Sequence, residues 1–240
     1  TSDHENTDSK SSDVFITGVD RKVNPKTGRI TEIQYEDGVR NGPARVFFQN
    51  GQLWKDSQYK DNQLHGVSRL YDEKGLLKRE THYVDGKRQG VYREFFKSGN
   101  PRLHIEYYLN RPLLGYYEKD YTNKNKPQPV IEHSVKEYNQ GIDRMLEIEF
   151  FLDPMPKGKV KYYFVPRGKS WKEIVQRSES DFYRNSIPMK DEAQNSALQV
   201  LKMERGQYIT IEGEIVAVYN HSEELEVAIS KNLRLTFDNF

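Results

Sequence analysis

The sequence predicts a mainly β protein, with an antiparallel β-hairpin repeat sheet followed by a small α+β domain. Three observations carry this. Tyr35, Tyr59, Tyr83 and Tyr107 recur at one constant interval, glycines recur at the same interval in two further registers (Gly42, Gly66, Gly90 and Gly51, Gly75, Gly99), and apolar positions between them alternate with period two. A fixed period of this length, about two dozen positions, marks a supersecondary unit copied along the chain.

Each unit parses as strand, tight turn, strand, tight turn. In the second full unit Val67 to Tyr71 is a strand, Glu73-Lys74-Gly75 a turn, and Leu77 to Tyr83 the returning strand. Asp85-Gly86 closes it, matching Asp37-Gly38, Asp61-Asn62 and Leu109-Asn110. Such pairs tolerate the positive φ that two-residue hairpin loops require. Helices are excluded over this stretch by glycines that recur at intervals of no more than fifteen residues from Gly28 to Gly99.

Alternation assigns faces. Arg45, Arg69 and Arg93 share a side with Phe47, Tyr71 and Phe95, and Leu53, Leu77 and Leu103 are expected with Tyr59, Tyr83 and Tyr107 as the core. The opposite, wet side of the return strands is expected to carry Trp54, Asp56, Lys78, Glu80, Arg102 and His104.

The domain reading is a flexible polar segment over 1–13, the repeat domain over 14–120, a linker over 121–129 rich in Asn, Lys and Pro, and the C-terminal domain over 130–240. In that last part Leu146 to Phe150 is a strand, and Val160 to Val165 is expected to pair back on it. Ser170 and Glu173 have capping-box spacing ahead of a short helix. A second helix is expected over Asp191 to Arg205, then three strands, with Gly213 as a bulge.

Charges make up 30% of the 240 residues, and 16 Tyr and 11 Phe must supply much of the buried area. Lys+Arg (37) nearly equals Asp+Glu (36), so no whole-molecule field would attract nucleic acid, and no nucleic-acid partner is expected. With no Cys there are no disulfides or thiolate sites, which suits an oxidising compartment. Residues 1–13, beginning at Thr1, are taken as the start of a trimmed chain. That predicts a periplasmic or cell-envelope protein, tethered to the membrane through a removed, lipidated N-terminal segment, with a cytoplasmic location as the alternative.

The pattern Tyr-x-Asp-Gly-x-x-x-Gly, an aromatic five residues on and Gly four further, resembles the MORN-type repeat, in the variant of the bacterial YwqK-type antitoxin and immunity family. The resemblance covers about Gly28 to Tyr117. In the fourth unit Leu114 stands where Gly is expected and Gly115 follows, as in a capping repeat. It implies a non-catalytic protein that neutralises a cognate toxin or effector by direct binding; the alternatives are an envelope scaffold binding lipid or protein, and an enzyme housed in the C-terminal domain.

No catalytic residues, metal ligands or cofactors are assigned. The six His have no partner at metal-ligand spacing, and neither a Gly-x-Ser-x-Gly elbow nor a phosphate loop is present. Candidate partner-binding residues are Arg45, Trp54, Arg69, Arg93 and Arg102. Three arginines stacked on one side of a sheet repel one another, so either an external anion or neighbouring acids such as Asp72 and Glu94 must neutralise them. Trp54 suits an interface anchor or packing beneath the linker or second domain. The oligomeric state is left open, with sheet edges at either end of the array able to pair between chains.

Overall fold

A computed structural model describes residues 16–141, 143–156, 158–175, 187–188, 190–193, 196–203, 208–223 and 225–238. The segment expected to be flexible, 1–13, lies outside them.

The repeat half consists of β1 (Gly18–Val23), β2 (Ile30–Glu36), β3 (Val39–Phe47), β4 (Leu53–Lys60), β5 (Gln63–Leu64), β6 (Gly66–Tyr71), β7 (Leu77–Val84), β8 (Lys87–Phe95), β9 (Pro101–Tyr108), β10 (Arg111–Pro112) and β11 (Tyr117–Glu118). They form one antiparallel sheet in order β1-β2-β3-β4-β6-β7-β8-β9-β10, with β5 beside β4 and β11 beside β9. The meander is the one expected. Its four short turns have φ of 47–49° at Asp37, Asp61, Asp85 and Leu109 and 66–78° at Gly38, Asn62, Gly86 and Asn110. Both central residues are therefore in the region whose twist matches that of hairpin strands. The turns are also stapled between units, since the N–H groups of Gly38, Asn62, Gly86 and Asn110 donate to the carbonyls of Ile16, Arg40, Leu64 and Arg88.

Tyrosine and glycine share a period because they face each other. Gly42 pairs with Tyr59, Gly66 with Tyr83 and Gly90 with Tyr107. Each ring lies opposite a residue with no side chain, the arrangement by which aromatics cover glycine in a sheet.

A second device alters the faces predicted from alternation. Trp54, Lys78 and Arg102 are each the extra residue of a β-bulge, lying between the pairs Val46–Lys55 and Phe47–Leu53 and their equivalents in the next two units. An added residue reverses the inside–outside order beyond it. Leu53 and Leu77 therefore lie opposite Phe47 and Tyr71, on the face of the arginines and not with Tyr59 and Tyr83; Leu103, which falls out of step with their period, does share the face of Tyr107.

The C-terminal half contains β12 (Val130–Gln140), β13 (Asp143–Asp153), β14 (Val160–Pro166), α1 (Trp171–Val175), β15 (Ile187–Pro188), β16 (Lys190–Ala193), β17 (Ser196–Met203), β18 (Tyr208–Ser222) and β19 (Leu225–Asp238). Two four-stranded sheets result, β12-β13-β17-β16 and β15-β14-β18-β19. Their inner faces meet through Ile148, Phe150, Val160, Tyr162, Ala217 and Val227. The capping box is formed, with Ser170 N–H donating to Glu173 Oε2 (3.2 Å) and Glu173 N–H to Ser170 Oγ (3.3 Å).

Four expectations for this half are corrected. The stretch expected as a second helix contains strands β16 and β17, because the long edge of β13 takes β17 from Arg144↔Met203 to Phe151↔Ser196. Ala197 and Met203 fall inward on alternate positions, so burial and non-local pairing override the helical propensity of an Ala- and Leu-rich run. β14 pairs with β18, not with β13. The final strands are two, not three, since β19 runs unbroken from Leu225 to Asp238. Gly213 is in regular register with Leu233, not in a bulge.

The repeat sheet and the C-terminal half share one core, in which Tyr92, Leu103, Ile105, Tyr107 and Tyr116 pack with Tyr219, Leu225 and Val227. The segment expected as a linker folds back: Lys126 N–H donates to the Glu118 carbonyl, and the Asp120 carboxylate accepts from the backbone N–H groups of Thr122 and Lys124. Tyr107 seals this junction, its hydroxyl donating to the Glu226 carbonyl at 2.9 Å. Burial pushes its phenol from 10.0 up to about 12. The folded state thus holds a proton that the unfolded chain releases from pH 10, so this contribution is intact below pH 10 and is lost as pH rises towards 12. A loss on the order of 3 kcal/mol is expected from this group, and Tyr107→Phe should make the fall in stability between pH 10 and 12 shallower by that share, the rest coming from the phenols of Tyr92, Tyr116 and Tyr219, which burial also raises.

Candidate functional site

On the sheet face away from the C-terminal half, one residue per strand builds a straight row. Register pairs Arg21 with Glu32, Glu32 with Arg45, Arg45 with Asp56, Asp56 with Arg69, Arg69 with Glu80, Glu80 with Arg93, and Arg93 with His104. Tyr117 on β11 follows His104. Charge alternates along the row because both halves of the unit were copied together: the arginines recur once per unit on the outgoing strands, and Glu32, Asp56 and Glu80 do so on the return strands.

The contacts follow the register. Arg21 Nε lies 3.2 Å from Glu32 Oε1, Arg45 Nε 3.4 Å from Asp56 Oδ1, and Arg69 Nε 2.9 Å from Glu80 Oε2. Glu80 is the hub. Its Oε1 also stands 3.5 Å from Arg93 Nη1 and 3.6 Å from His82 Nε2. At the far end the imidazole of His104 stacks on the Tyr117 ring at 5.1 Å with 2° between planes. The side chains of Arg45, Arg69 and Arg93 keep 38–50% of their surface exposed, whereas Glu80 keeps 13%. Where both partners are exposed, such pairs contribute only about 0–1 kcal/mol each, and only those at Glu80 are largely withdrawn from water. The row therefore adds little stability while holding guanidinium groups, each with five fixed donors, at regular spacing towards solvent.

Of the five candidate residues, the structure brings Arg45, Arg69 and Arg93 together and leaves the other two apart. Arg102, turned by its bulge, pairs with Glu94 and, at 2.9 Å, with Glu118; Glu118 also holds Lys126 at 2.7 Å and faces His221 at 3.7 Å. Burial lowers the His221 pKa, partly opposed by Glu118. Trp54 packs against Phe48, with the Arg29 guanidinium 3.9 Å above its ring. The acids that face the arginines are Glu32, Asp56 and Glu80. Glu94 serves Arg102 instead, and Asp72 closes its own turn by accepting from the N–H groups of Lys74 and Leu76. Sequence reasoning missed Arg21, Glu32, His104 and Tyr117 as members of the row. Their signal was the repeat spacing itself, read across strands instead of along them.

Among the described residues no group of three or more His, Cys, Asp or Glu could hold a metal ion, and no helix is long and apolar enough to cross a membrane.

Comparison with known proteins places the middle of the row inside a recognised repeat. Residues 40–61 and 64–85 match a MORN repeat variant. These two stretches are MORN-type repeats. The matched stretches begin at Arg40 and Leu64, one repeat interval apart, and contain Arg45, Asp56, Arg69 and Glu80 of the charged row. No curated protein matches the chain.

Proposed function

We propose that this MORN-type repeat protein is a non-catalytic binding protein that neutralises a toxic bacterial effector by direct contact. The observation that carries the reading is the alternating row on an open face, opposite the side on which the C-terminal half docks. Such a row fits a protein surface of mixed charge better than a uniformly anionic lipid surface, because every guanidinium offered to a phosphate has a carboxylate beside it. The toxin-neutralising role comes from the resemblance to YwqK-type antitoxin repeats, and action in the periplasm or cell envelope is part of the same proposal. The lack of Cys is compatible with that compartment.

Co-expression with a toxic effector encoded beside this gene tests the reading. The two proteins are expected to co-elute as a purified pair and the effector's toxicity to be relieved; failure of the pair to co-elute overturns it.

A further inference from the structure

The row does not end in a neutral position. At one side it closes on the ring of Tyr117, but at the other it stops at Arg21 on β1, a strand hydrogen-bonded to β2 alone. Among the described residues the outer edge of β1 faces no strand, and its backbone N–H and C=O groups offer a template for pairing. Val19 and Val23 stand two residues either side of Arg21 and so share its face. They are 62% and 60% exposed, large values for valines in a strand.

We propose that the β1 edge is a docking site for an extended strand of a protein partner, and that the partner strand reads apolar-x-acid-x-apolar. The acid continues the alternation opposite Arg21, and the apolar residues cover Val23 and Val19. This deepens the binding reading above, on which it rests, by giving the partner a place and a chemistry. Strand addition draws affinity from main-chain hydrogen bonds and specificity from alternate side chains, which here are one charge and two apolar contacts.

A second copy of this chain fits the edge poorly. Two-fold antiparallel pairing sets residues of the same face opposite each other. The two registers that overlap β1 most fully are centred on Asp20 and on Arg21; the second brings Val19 onto Val23 and Asp20 onto Lys22, but each opposes a charge to its own copy, the defect that an acid in a partner strand removes. The chain's own residues 1–15 fit poorly too. Asp8 stands one repeat interval before Glu32, but Asn6 and Lys10 occupy the places that would cover Val23 and Val19.

The test is a titration of the full chain with a cyclic β-hairpin peptide whose outer strand reads Thr-Val-Thr-Glu-Thr-Val-Thr, followed by backbone amide NMR. Saturable shifts confined to residues 18–23 and their β2 partners are expected, with binding weaker by roughly tenfold when the peptide's Glu is replaced by Lys. Arg21→Glu should invert that preference, and the peptide exchange keeps the test valid should this variant lose its first strand. Equal binding of both peptides, or no binding, overturns the proposal. Binding only after removal of residues 1–15 also overturns it, by giving the edge to the chain's own start. None of these results bears on co-elution with an effector, so the two readings fail separately.

Discussion

Trp171→Ala is expected to lower unfolding free energy by about 4 kcal/mol. The ring is 2% exposed, lies 5.2 Å from Tyr163, and packs with Leu113, Val216, Val218 and Ala228. Its Nε1 donates to the Pro112 carbonyl at 3.1 Å. Pro112 belongs to β10, the last strand of the repeat path, so this one side chain clasps the C-terminal half onto the end of the array. Trp171→Phe should cost less, about 1–2 kcal/mol, because most of the packing survives while the carbonyl loses its donor. Urea titration of both variants measures this. A Trp171→Ala protein within about 1 kcal/mol of the parent would mean that the helix contributes no clasp.

Gly213→Ala is expected to cost about 3 kcal/mol or more. A Cβ placed there would collide with the Val165 carbonyl oxygen and sit 2.7 Å from the Phe164 ring. The obstacle is backbone, which cannot swing aside. Gly99 provides the contrast: its φ is +84° but a Cβ would meet nothing within 4 Å, so Gly99→Ala should cost only the left-handed backbone strain, about 1–2 kcal/mol. A larger loss at Gly99 than at Gly213 would contradict this assignment of the two glycines.

The parts of the fold legible in the sequence are those where one residue type has no substitute. Positive φ in two-residue turns favours residues such as Asp, Asn and Gly, with Leu109 in the last turn the exception, and an aromatic over a glycine writes both into the period, so the hairpin array from Gly28 to Tyr117 is read directly. Bulges carry no such signature. Trp54, Lys78 and Arg102 share little beyond their spacing, so the reversal of faces they cause was hidden until the register was known. The C-terminal half lacks a repeat to average over, and Ala197, Leu198 and Leu201 satisfy a helical pattern as well as a strand's. There the partner strand β13, far earlier in the chain, decided the outcome. As for the candidate site, the arginine row is legible in the spacing, but its acids are not sequence neighbours: the sheet delivers them across strands at Glu32, Asp56 and Glu80.

The most direct test of the charged row as a gripping surface is to reverse its sign without disturbing its pairing. The seven changes R21E, E32R, R45E, D56R, R69E, E80R and R93E preserve attraction between every pair of row neighbours from Arg21 to Arg93. Attraction between neighbours is kept, and the arginines of the row are largely exposed, so the variant is expected to stay folded, which circular dichroism and thermal unfolding check; Glu80, 13% exposed, is the site where a cost is expected. Co-elution with the effector should be lost. A folded, sign-reversed protein that still co-elutes with its effector at undiminished affinity would contradict the account.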